Sequence, residues 1–99
     1  MPVIGALEKA KGRGVPKIAY ADKRVTGTAD FSASDFGLIR IIAPISVSVL
    51  DAPSTIPTQI AEITNWDSTK VSVVVVDLGS AGNAVSTTAR TVRVVVIGE

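Results

Sequence analysis

Apolar and polar residues alternate with a period of two over much of the chain, the period of half-buried strands. The clearest case is 69–78, where Val71, Val73 and Val75 share one side and Lys70 and Ser72 the other. Residues 84–98 repeat the pattern, with Val92, Val94 and Val96 on the core side. Over 38–50 every odd position from 39 to 49 is apolar: Ile39, Ile41, Ala43, Ile45, Val47 and Val49. Pro44 lies inside that run and cannot donate to a ladder, so it marks an edge, a bulge or a corner between sheets. Residues 24–32 set Val25, Gly27, Ala29 and Phe31 against Thr26, Thr28 and Asp30. Two weaker strands are expected over 16–21 and 58–64. The second places Ile60, Ala61 and Ile63 at a spacing that calls for a bulge.

Breakers separate these runs. Gly12, Gly14 and Pro16 end any helical turn over 8–11, which leaves 1–14 irregular. Residues 32–37 read as a loop with Phe36 as an aromatic plug, 51–57 as a loop punctuated by Pro53 and Pro57, and 79–83 as a hairpin. Residues 65–68 form a turn carrying the sole Trp. Composition agrees: 15 Val, 10 Ile and 9 Thr stand against four Leu, and branched Cβ atoms suit a pleated surface. The 99 residues suffice for one domain. The expectation is an all-β protein, a small antiparallel β-sandwich of about six strands, Greek-key or jelly-roll-like, over 16–99. An irregular basic N-terminal arm over 1–15 precedes it.

Charge sharpens that division. The net charge is +1, but residues 1–24 carry +4 and residues 25–99 carry −3. Lys9, Lys11, Arg13 and Lys17 are therefore candidate assembly residues, able to dock on the acidic body of a neighbouring copy. Nucleic acid is a weaker fit, because the arm lacks aromatics to interleave with its charges.

Chemistry narrows the functional classes. With no His and no Cys, His-based acid–base catalysis, Cys nucleophiles, disulfides and the usual zinc, haem and iron–sulfur ligands are excluded. Asp35-Phe36-Gly37 matches a kinase tripeptide in a chain far too short for that fold. Gly12-Arg13-Gly14 lacks the ending of a phosphate loop, and no acidic run has calcium-loop spacing. The chain reads as a non-enzyme with no cofactor and no metal. Trp66 either plugs the end of the sandwich or offers its ring to a sugar face or a partner protein, with Asn65 and Asp67 supplying hydrogen bonds.

The order of elements resembles a small β-sandwich module of H-type lectins and phage tail-fibre ends. The corresponding pieces are Thr26-Gly27-Thr28-Ala29-Asp30-Phe31, Ile45-Ser46-Val47-Ser48-Val49, Ile60-Ala61-Glu62-Ile63-Thr64 and Val92-Arg93-Val94-Val95-Val96-Ile97-Gly98-Glu99. The lectin-type closing strand usually carries a Trp where this chain has Val95 or Val96, a departure in the region of sugar binding. The resemblance implies a homo-oligomer, with a trimer favoured, acting as an attachment or virion-surface module.

The leading expectation is thus a viral structural protein of the particle surface, a capsid-decorating (cement) or tail-fibre attachment module that self-assembles. Its partners would be copies of itself and other virion proteins. A lectin-like carbohydrate-binding module is the alternative, with a glycan as partner, and a nucleic-acid-binding protein using the arm is the second alternative. No signal peptide, sequon or apolar run of spanning length is present. The expected location is the virion, after synthesis in the host cytoplasm, and otherwise the cytoplasm, with no membrane contact. If the two late strands lie side by side, their outward residues Val74, Val76, Val95 and Ile97 form one apolar assembly patch.

Overall fold

A computed structural model describes residues 15–79 and 84–99. Seven strands form two antiparallel sheets. They are β1 (Lys17–Val25), β2 (Thr28–Ser32), β3 (Ile41–Val49), β4 (Thr58–Trp66), β5 (Lys70–Leu78), β6 (Ala84–Val85) and β7 (Arg90–Gly98). The first sheet has the order β1-β7-β3 and the second β2-β5-β4, with the two-residue β6 also paired to β5. The expected all-β sandwich is therefore present, and the expected arm lies outside the described residues apart from Val15.

The two most strongly alternating runs became the two central strands. Val71, Val73 and Val75 of β5 and Val92, Val94 and Val96 of β7 are at most 1% exposed. They face one another across the core with Val25, Phe31, Phe36, Leu38 and Ile41. Phe31 and Phe36 stack with ring centroids 6.1 Å apart. The 32–37 loop is a 3₁₀ turn over Ala33–Phe36, closed by Gly37 at φ 72°, where a side chain would be strained.

Several boundaries differ from those expected. The run 24–32 is not one strand: the chain turns at Thr26–Gly27, with Gly27 at φ 76°, and passes from β1 into the opposite sheet. The expected first strand over 16–21 accordingly extends to Val25. The run 38–50 narrows to β3, whose pairing with β7 shifts register between Ile41 and Ala43 and between Pro44 and Ser46. The first shift sends Ala43 to the outer face and the second restores the phase, so Val47 and Val49 again pack inward. In β4 the register shift falls between Ile63 and Asn65, and the strand runs on through Trp66. The closing run 84–98 divides into β6 and β7, which lie in different sheets.

One end of the sandwich is tied together by backbone groups. Ile39 N–H and Arg40 N–H donate to Glu99 O, Glu99 N–H donates to Arg40 O, and Ile41 N–H donates to Ser68 O. Gly98 is buried in this junction, paired with Lys17 on one side and Ile41 on the other. A Cβ there would collide with Arg40 O and the Leu38 side chain.

Candidate functional site

Because β5 and β7 are the central strands of opposite sheets, Val74 and Val76 lie on one outer face and Val95 and Ile97 on the other. This corrects the expectation of one four-residue patch, whose premise was that the two strands are neighbours. All four side chains are half-buried by their own sheets. Each pair nevertheless sits inside a wider apolar surface that cross-strand pairing assembles.

On the second sheet, Val76 is flanked by Ile60 of β4 and Val85 of β6, which makes a row of three branched residues across three strands. Val74 and Leu78 extend it along β5, and Glu62 and Thr28 flank Val74. On the first sheet, Ile97 pairs with Ile18 and Val95 with Tyr20. Ile18 and Tyr20 are 69% and 60% exposed, the barest large apolar side chains in the described strands. The next outer pair is ionic: Arg93 Nε and Nη2 donate to the Asp22 carboxylate at 2.8 and 2.9 Å. The Arg93 guanidinium also lies over the Tyr20 ring, 4.4 Å from its centroid. These bonds from Arg93 hold the Asp22 carboxyl below the usual carboxylate range.

Ile18, Tyr20, Ile60 and Val85 were not singled out from sequence. The signal for the first two was available, since Ile18 and Tyr20 occupy alternate positions opposite Ala19 and Ala21. It was hidden by the proximity of the basic arm. Lys17 begins β1 and is exposed, whereas Lys9, Lys11 and Arg13 lie outside the described residues.

The three residues expected around Trp66 do not converge. Asn65 pairs with Ser72 and Trp66 with Val71, so they sit on opposite faces of β4. Trp66 is 42% exposed at the strand end. Asp67 is committed to the hairpin: its Oδ1 accepts from Thr69 N–H at 2.7 Å, Thr69 Oγ1 at 2.6 Å and Lys70 N–H at 3.0 Å. The same bonds, led by the Thr69 hydroxyl, hold its carboxyl below the ordinary range.

The remaining charges tie elements together. Lys23 points inward from β1, pairs with Asp35 at 2.6 Å, donates to Asp30 O and lies 5.2 Å from the Phe31 centroid. Asp51 accepts from Thr91 N–H at 2.9 Å and from Arg24 at 2.6 Å, fixing the end of β3 to β7 and β1. Arg90 reaches across the sandwich to Gln59, which donates to Asp77. Among the described residues no group of three or more acidic side chains is placed to hold a metal ion. No helix there is long and apolar enough to cross a membrane. Comparison with protein-family models, curated proteins and solved structures found no match.

Proposed function

We propose that this chain is a non-catalytic structural module that assembles with copies of itself, of the kind that decorates a capsid or forms a tail-attachment module at a virus-particle surface. The observation that supports self-assembly most is the pair of apolar outer faces, Ile18, Tyr20, Val95 and Ile97 on one sheet and Ile60, Val74, Val76, Leu78 and Val85 on the other. Two-layer sandwiches cover only the inner face of each sheet, and apolar surface left in water favours association. The virion setting and the favoured trimer rest on the resemblance to tail-fibre and lectin-type modules. Sedimentation-velocity mass measurements from low to high micromolar concentration test the assembly, with a discrete oligomer as the expected result. A monomer throughout that range overturns it. For the setting, mass spectrometry of purified particles from the source should find the chain as a stoichiometric component; its confinement to the particle-free cell fraction overturns that part. A glycan array tests the lectin alternative, and specific binding abolished in Trp66→Ala would replace the structural reading.

A further inference from the structure

Among the four sheet edges, three carry features that obstruct pairing with another chain. On β3 these are Pro44 and two register shifts, and on β4 it is the shift near Thr64. The remaining flank of the second sheet is divided between the five-residue β2 and the two-residue β6. The fourth edge, β1, differs. All nine of its residues pair with β7 without interruption, and it contains neither Pro nor bulge. Among the described residues its backbone has no ladder partner other than β7. Half of its backbone donors and acceptors thus face outward, a template for strand addition.

We infer that β1 pairs antiparallel with β1 of a second copy about a two-fold axis at Ala21, joining two three-stranded sheets into one of six. This deepens the self-assembly reading and rests on it. Charge along β1 selects both the partner and the register. Facing residues in an antiparallel pair must point to the same side, so the axis passes through a residue. An axis at Tyr20 sets Lys17 against Lys23; one at Asp22 sets Asp22 against itself; one at Lys23 sets Lys23 against itself. Each puts like charges directly opposite, which is unfavourable. An axis at Ala19 engages only residues 17–21. The axis at Ala21 pairs the whole strand with no like-charge contact: Lys17 faces Val25, Ile18 faces Arg24, Ala19 faces Lys23 and Tyr20 faces Asp22. The inner-facing residues nearest the axis are Ala21, Ala19 and Lys23; the two alanines are small and already rest against the core, and Lys23 is held within its own copy by Asp35 and Asp30 O. The outer apolar residues of β1 then lie along the join instead of at an open edge.

Charge substitution on the outer face of β1 tests the register, because the two positions demand opposite signs. Tyr20→Glu faces Asp22 of the second copy and should weaken dimerisation on the order of tenfold, counting both symmetric pairs; Tyr20→Lys should retain it. Ile18→Lys faces Arg24 and should weaken the dimer, whereas Ile18→Glu should retain it. Within one copy the order at position 20 is reversed, since Glu suits the neighbouring Arg93 and Lys does not, so loss of fold cannot imitate the result. Circular dichroism confirms folding of each variant. The chain has no native Cys, so Ala21→Cys should form an intermolecular disulfide across the axis under mild oxidation, and Ala19→Cys should not. Equal loss of association with either sign, or cross-linking at position 19 but not 21, overturns the β1 pair while leaving self-assembly standing. Unchanged association in all four charge variants overturns it too. A wild-type monomer at high micromolar concentration overturns both readings.

Discussion

Substituting Gly98 by alanine probes the junction that closes the sandwich. Gly98 lies between Lys17 and Ile41 in the ladder, and an added Cβ would overlap the Arg40 carbonyl and the Leu38 side chain. Leu38 can yield only by leaving its place in the core, where it is 6% exposed. The Arg40 carbonyl cannot retreat without stretching its bond from Glu99 N–H, 3.0 Å long, and its neighbour's bond to Glu99 O. Overpacking of this kind costs about 1–3 kcal/mol. For a domain of this size each kcal/mol lowers the melting temperature by roughly 4–8 °C, so a fall of roughly 10 °C is expected. Gly79 is the control: a Cβ there meets nothing within 4 Å among the described residues and its φ is not positive. Gly79→Ala should be neutral or stabilise by up to about 1 kcal/mol through the unfolded state. Differential scanning calorimetry on the wild type and both variants measures the contrast. If Gly98→Ala melts within about 2 °C of the wild type, the close approach at the end of β7 is not as described and the reasoning fails.

Phe31→Ala removes a fully buried ring in contact with Phe36 and Lys23; a loss of about 3–5 kcal/mol in urea unfolding is expected. The carboxyls of Asp22, Asp30, Asp35, Asp51 and Asp67 are all lowered from 3.8. Their stabilisation is therefore present above that unfolded-state value and is lost as pH falls through the lower folded values. With no His in the chain, thermal melts should change little between about pH 6 and 8 and fall below about pH 4; a loss centred near pH 6 contradicts this. Asp67→Ala should speed amide exchange at Thr69 and Lys70, which lose their acceptor, without changing exchange in β7. A chain starting at Pro16 should melt near the full-length temperature yet assemble less well at low salt, and outright unfolding would place residues 1–15 in the core.

The strand rhythm carried most of the fold because the strands at the centre of each sheet bury their inward valines completely. Val71, Val73 and Val75 have no other way to be read. The turn at Gly27 leaves no mark in the alternation, because Val25, Ala29 and Phe31 all face the core although they belong to different sheets. A chain that rounds a corner between two layers keeps the same side inward, so the alternation does not record the change. The phase of β3 was obscured by its two bulges, since period-two counting has no means of registering an inserted residue. Alternation marks outward residues one strand at a time, and which of them become neighbours depends on sheet order. That is a long-range property, and for this reason Val76 and Val95 were assigned to one surface when a core separates them. The Asn65–Trp66–Asp67 triplet failed as a cluster because adjacency along a strand places side chains on opposite faces.

The two apolar faces belong to opposite sheets and point away from each other, so under the proposed self-assembly they act along a single line. Units joined back to back through opposed faces make a stack that never meets its own beginning, whereas a ring of three needs contact surfaces inclined toward each other. A closed trimer can therefore satisfy at most one of the two faces, and pairing along β1 satisfies neither, because it extends the sheet sideways. Under the proposed self-assembly, a discrete oligomer therefore closes through one face or through the β1 edge and leaves the opposite face open to a different surface.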